Sequence, residues 1–268
     1  MRYVIILTMF TASLFDCLAE PPHTNSSALT PEQFSVYRAR ARKIFADYNA
    51  DTTTNALDRL FESGRDLQQD YPNQVNGWQD MMCAIEDCPT NNTSKARDWA
   101  KELMDSSAPG HYKLWAKGFL YRLDSQGKPV AITFTAVDGR EVDLSKLLGK
   151  VVLVDFWGTH CGPCVAELPR VKTAYEKFHD QGFEVIGISC DTDTNELQDY
   201  VQKHGIPWPQ YFDGHQQDDN KFTVAFGIDG IPHMFILDKK GCLRFDHVRA
   251  KGAKTDFEDK IESLLAEP

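Results

Sequence analysis

The sequence predicts an α/β fold, a mixed and mainly parallel sheet flanked by helices, preceded by a small all-α domain. Three observations predict it. Residues 30–124 carry apolar and aromatic side chains at helical spacing, with no strand-like alternation. From Val130 onward, short β-branched runs alternate with helical segments, the pattern of strands joined by crossover helices. One such run, 151–157, ends in the turn Cys161-Gly162-Pro163-Cys164, which opens a helix. The chain divides into a leader at 1–19, a linker at 20–29, the helical domain at 30–124 and the α/β domain at 125–268.

Bulk composition agrees with a globular protein. Of 268 residues, 42% are hydrophobic and 25% charged, enough apolar material for a core. The formal net charge of −10 argues against nucleic acid and anionic membrane surfaces as partners. Residues 1–19 read as a secretory signal peptide, with Arg2 first, an apolar stretch at 3–14, and small residues by Ala19. Thr8, Thr11 and Ser13 interrupt that stretch, and it is too short to span a bilayer. Asp16 before Cys17 does not suit a lipid-attachment site. The expected protein is exported, periplasmic or secreted, with no stable membrane insertion after signal cleavage.

The elements follow in order. The linker at 20–29 is rich in Pro and Ser. Thr30-Pro31-Glu32-Gln33 is a helix start, with Thr30 as N-cap, Pro31 first and Gln33 reaching back. Further helices are expected at 55–69, 75–86, 94–104 and 111–123, with Phe61, Trp78, Trp99 and Trp115 on their core faces. Residues 131–136 alternate like a strand, Asp138-Gly139 signals a hairpin, and 141–144 answers it. A turn at 145–149 leads into strand 151–157. Then come helix 163–180, strand 183–189, helix 194–204, a short strand near 209–212, helix 219–226, strand 233–238, a hairpin at Lys240-Gly241, strand 242–248 and helix 254–265.

The chemistry sits at the Cys-Gly-Pro-Cys turn. Cys161 lies at a helix N-terminus, where orphan N–H groups and the helix dipole favour a thiolate, the nucleophilic form. The spacing lets Cys164 close a disulfide with it, so the pair is a dithiol/disulfide couple. A zinc site would need a second Cys/His pair at ligand spacing, and none follows, so no metal is expected. No cofactor is expected either. Asp155, six residues before Cys161, is a carboxylate inside an apolar strand, where burial should raise its pKa toward neutrality. Glu167, three residues past Cys164, shares its helix face, and on the residues alone reads as a solvated first-turn acid supporting the helix dipole. His160 either stabilises the Cys161 thiolate as an imidazolium or is a plain exposed loop residue. Cys83 and Cys88 would lie ~140° apart on a continuous helix. Pro89 predicts a helix end there, and a structural disulfide is expected between them.

From about Lys128 to its end the chain resembles the TlpA/ResA-like group of exported thiol–disulfide oxidoreductases, which have a thioredoxin-like fold. The resemblance rests on Asp155-Phe156-Trp157, on Cys161-Gly162-Pro163-Cys164, on Val165-Ala166-Glu167-Leu168-Pro169, and on Gly230-Ile231-Pro232. It implies that Cys161 attacks, Cys164 resolves, and Cys161 is the more exposed. It implies that Asp155 accepts the proton of the resolving thiol, or that Glu167, the group's acid near the disulfide, does so. Many members carry an amide at the strand position, so holding both acids is a departure. The resemblance further implies a cis bond before Pro232, an Ile231 backbone offered to an extended substrate, and a surface shaped by Trp157, His160 and Pro163. The usual Trp before the first cysteine is His160 here, a second departure. In a thioredoxin-type sheet, two strands separate Cys190 from Cys242, so both are expected as free thiols.

The implied partners are protein disulfides and an unidentified thiol electron donor. A peroxidase of the AhpC/TSA type is the alternative, since 182–193 also resembles that group. Such enzymes place Thr or Ser three residues before the reactive cysteine, where this chain has Gly158. A third reading makes the chain a redox-sensing module whose helical domain binds a partner.

Overall fold

The computed structural model describes residues 29–51, 53, 55–88, 92–250 and 254–268. The leader at 1–19 and nearly all of the linker lie outside them. Among the described residues, no helix is long and apolar enough to cross a membrane.

Five helices come first: α1 (Pro31–Ala50), α2 (Ala56–Asp70), α3 (Asn76–Glu86), α4 (Thr93–Asp105) and α5 (Gly110–Asp124). Thr30 caps α1 as its sequence predicts, accepting from the Gln33 N–H at 3.2 Å, while its own N–H donates to Gln33 Oε1 at 2.9 Å. Leu60, Phe61, Trp78, Met81, Leu103 and Trp115 bury the facing stripes of these helices in one core. The α3 backbone winds on past Glu86, with Asp87 and Cys88 N–H groups donating to Cys83 and Ile85 carbonyls at 3.0 and 3.2 Å. Cys83 and Cys88 are both free thiols, which corrects the expected disulfide.

The second region opens with a hairpin of β1 (Thr133–Thr135) and β2 (Glu141–Asp143). A five-stranded sheet follows, built from β3 (Val151–Trp157), β4 (Phe183–Ser189), β5 (Gln210–Tyr211), β6 (His233–Leu237) and β7 (Leu243–Phe245) in the order β5-β4-β3-β6-β7. The helices are α6 (Gly162–Phe178), α7 (Thr194–His204), α8 (Lys221–Phe226) and α9 (Lys254–Ala266). This is the thioredoxin-like arrangement. β3 is buried along its whole length, and its side chains alternate between two cores. Val151, Leu153 and Trp157 face α6 and α9, whereas Val152, Val154 and Phe156 face α8 and the β1–β2 hairpin.

The sheet is mixed, but parallel and antiparallel pairings balance rather than parallel ones dominating. β4 runs parallel to β3 and β5, while β6 runs antiparallel to β3 and β7. The 21-residue connection from β5, which includes the six-residue α8, does not cross back over the sheet. β6 therefore starts at the end where β3 finishes, with His233 beside Phe156. That reversal brings Pro232 to the Cys-Gly-Pro-Cys turn. β7 stops at Phe245, short of the predicted 242–248, because the Asp246 carboxylate turns inward to Arg122 and His233. Cys190 and Cys242 are both buried and free, with β3 and β6 between their strands.

The two regions meet along α5 and the segment after it. The N–H groups of Gly127 and Val130 donate to the carbonyls of Leu243 and Gly241, both at 2.9 Å, covering the outer edge of β7. α5 packs on α8 where Gly118 meets Gly227, and a Cβ on either would press into the other's backbone.

Candidate functional site

Cys161 is the N-cap of α6, and its Sγ accepts the Cys164 N–H at 3.2 Å. The two sulfurs form a disulfide, with Cα atoms 5.3 Å apart. Cys161 is 8% exposed and Cys164 4%, so the order of exposure is the expected one, but both are buried. The exposed rim consists of His160, Gly162 and Pro163. The Ile231–Pro232 peptide bond is cis. The Ile231 carbonyl oxygen lies 3.6 Å from Cys161 Sγ, so the loop before β6 forms the second wall of the site.

Asp155 stands on the α6 face of β3, 6% exposed, and its Oδ1 has no hydrogen-bond partner. Burial, with the nearby Glu167 charge adding to it and Arg249 opposing, pushes its carboxyl up to about 8. Glu167 is also buried, which removes the reading of it as a solvated first-turn acid. Its Oε1 accepts from Arg249 Nε at 2.8 Å and pairs with Nη2 at 2.6 Å, while its Oε2 accepts the Ala250 N–H at 3.0 Å. Arg249 Nη1 also donates to the Pro232 carbonyl at 3.3 Å. One guanidinium thus ties the acid on α6 to the proline loop. The two carboxyls are chemically distinct: Glu167 is neutralised by a cation, and Asp155 is not.

His160 is more than half exposed, and its Nδ1 lies 3.2 Å from Asp191 Oδ1. The same buried carboxylate accepts the Thr159 N–H at 2.9 Å and the Thr159 hydroxyl at 2.7 Å, fixing the turn. Trp157 is buried, and its indole N–H donates to Gln210 Oε1 at 2.8 Å. It underlies the site and does not line its surface, a correction to the expectation that it shapes the docking face.

Arg249 and Asp191 are the participants that sequence reasoning missed. Arg249 falls in an irregular segment without periodicity. The one available signal was the demand of a buried Glu167 for a cation. Asp191 follows β4 by two residues, and its link to a turn more than 30 residues earlier exists only in three dimensions.

The Redoxin family profile matches residues 125–264. Thiol-disulfide oxidoreductase ResA of Bacillus thuringiensis (strain Al Hakam) is 32% identical over 107 residues, 40% of this chain and 60% of that protein. ResA of Bacillus subtilis (strain 168) is 28% identical over 104 residues, 39% of this chain and 56% of the relative. The chain thus spans about 60% of the length of these curated relatives. Among solved structures, the thioredoxin domain of a thiol-disulfide oxidoreductase from Bacteroides vulgatus is 30% identical, with a TM-score of 0.44, over 51% of this chain and 94% of that one. A putative thiol:disulfide interchange protein DsbE from Chlorobium tepidum is 25% identical, with a TM-score of 0.46, over 51% and 94%. With its Cys161–Cys164 pair, its two buried carboxyls and the Pro232 loop inside the matched region, the chain belongs to the Redoxin family, as a TlpA/ResA-like member with a helical region in front.

Proposed function

We propose that this chain is an exported thiol–disulfide oxidoreductase that reduces, or exchanges, disulfides in protein substrates. The observation that carries the reading is the Cys161–Cys164 disulfide at the start of α6, walled by the Ile231 carbonyl. In the reduced enzyme the Cys161 thiolate attacks one sulfur of a substrate disulfide. A mixed disulfide forms, and the substrate's other sulfur leaves as a thiolate that takes up a proton. Cys164 loses its proton and attacks Cys161 Sγ, which closes the intramolecular disulfide and releases the second substrate thiol. Two electrons pass from the enzyme dithiol to the substrate. An unidentified thiol donor returns them by the reverse exchange.

Asp155 is the group we assign to the Cys164 proton. It is buried and has an unpartnered oxygen, and burial pushes its carboxyl up to about 8, so its ionised form is a strong enough base to take that proton near neutral pH. Glu167, held as a partner of Arg249, positions the α6 end against the proline loop. The surface offered to an extended substrate is made by Ile231, Pro163 and His160, with Pro232 behind. Export rests on the 1–19 leader, and the division at 124/125 rests on the match beginning at residue 125.

Trapping tests the reading. Cys164→Ser should accumulate a mixed disulfide with a disulfide-bonded protein substrate such as insulin, visible on a non-reducing gel and cleared by dithiothreitol. Cys161→Ser should form none and lose turnover. Retained turnover in Cys161→Ser would overturn the assignment.

A further inference from the structure

On the sheet face opposite Asp155, at the junction of the two regions, Glu86 from the end of α3, His233 from the start of β6 and His247 from the segment after β7 converge. One donor atom from each lies within 4.8 Å of the others. We propose that these three residues form a binding site for a divalent transition-metal ion of the Zn2+ class, clamping the helical region to the loop that carries Pro232. The inference is independent of the redox reading above.

Four observations carry it. Two imidazoles and a carboxylate are a donor set that suits Zn2+ and its first-row neighbours. The Glu86 side chain is only 10% exposed, yet its Oε2 has no hydrogen-bond partner, a buried acceptor left over once Oε1 has met Arg122 and His247. His247 is the one non-glycine residue among those described with positive φ, at 51°, and that backbone turns its ring onto Glu86. Asp246 Oδ1 lies 2.8 Å from His233 Nε2 and orients that ring, as carboxylates beside metal-binding histidines commonly do.

Arg122 is the group that opposes a cation here. Its guanidinium is already engaged by Glu86 Oε1, by Asp246 Oδ2 at 2.9 Å and by the carbonyls of Phe226 and Gly227 at 3.2 Å each. Glu86 and Asp246 together carry one more negative charge than Arg122 neutralises. The sequence contains no sign of this site, since its ligands lie 147 and 14 residues apart, and the earlier expectation of no metal considered only the cysteine pair.

The test uses the full-length, untagged protein in its oxidised form, so that Cys161 and Cys164 offer no thiolate. Zn2+ alone is titrated calorimetrically, and Co2+ is added in parallel as a spectroscopic probe. The expected result is one equivalent of Zn2+ bound and a visible Co2+ spectrum without sulfur charge-transfer bands. Affinity should fall at least about tenfold in His247→Ala and in Glu86→Gln. His247 is half exposed, so its variant keeps the test open should Glu86→Gln fail to fold. No binding, binding equal in His247→Ala, or sulfur charge-transfer bands with Co2+ would each overturn the site.

Discussion

At the scale of single residues, the two buried carboxyls near the disulfide behave differently because their partners differ. Glu167 shares its charge with Arg249, whereas Asp155 faces an apolar core with one oxygen unpartnered. The consequence for stability has a definite sign. The Asp155 carboxyl stands at about 8 in the folded chain, against about 4 unfolded. Between those values the folded state holds a proton that the unfolded state has lost, so stability falls as pH rises through the window and levels off above it. Asp155→Asn cannot titrate. Its stability advantage over the parent should be smallest near pH 4.5 and grow to about 1 kcal/mol or more at pH 8. Urea unfolding of both oxidised proteins at four pH values checks this, and a pH-independent difference would sink it. Asp155 was legible as an acid within β3. Its lack of a partner was not, because that depends on Arg249 choosing Glu167.

At the scale of elements, the contact between α5 and α8 is the tightest in the junction. Gly118 and Gly227 let the two backbones touch, and Gly227 also ends α8 in the left-handed conformation at φ 61°. That approach brings Arg122, one turn further along α5, onto the carbonyls of Phe226 and Gly227 that α8 leaves unpaired. Gly118→Ala keeps a residue with good helix propensity and adds one methyl group. It should still destabilise by about 1–3 kcal/mol, because the methyl meets backbone that has no rotamer to yield. A thermal melt reads this directly. A variant as stable as the parent would mean that α5 can slide, and that the junction is looser than its geometry implies.

At the scale of the whole molecule, one guanidinium joins the helical region to the thioredoxin-like one. Arg122 is buried between Glu86, from α3, and Asp246, beyond β7. Breaking such a pair strands the remaining carboxylates away from water. Arg122→Met, close in volume, should therefore cost about 3–5 kcal/mol in urea unfolding and separate one transition into two, as the helical region loses its hold. A loss below about 1 kcal/mol would show that Glu86 and Asp246 find other partners.

What the sequence by itself determined is local. The capping box at Thr30, the alternation of β3, the turn at Asp138-Gly139 and the Cys161–Cys164 spacing each depend on residues within a few positions of one another. Periodicity and backbone preference are therefore enough to read them. Tertiary structure decided what depends on the meeting of distant segments. It set β6 antiparallel to β3, because the long connection from β5 stays at the end of the sheet where β3 finishes. It left Cys83, inside α3, and Cys88, beyond its end, as free thiols. It supplied the Glu167 charge with Arg249, 82 residues away, and gathered Glu86, Arg122, His233, Asp246 and His247 at one junction. A buried charge announces that it needs a partner, but only the path of the folded chain selects which one arrives.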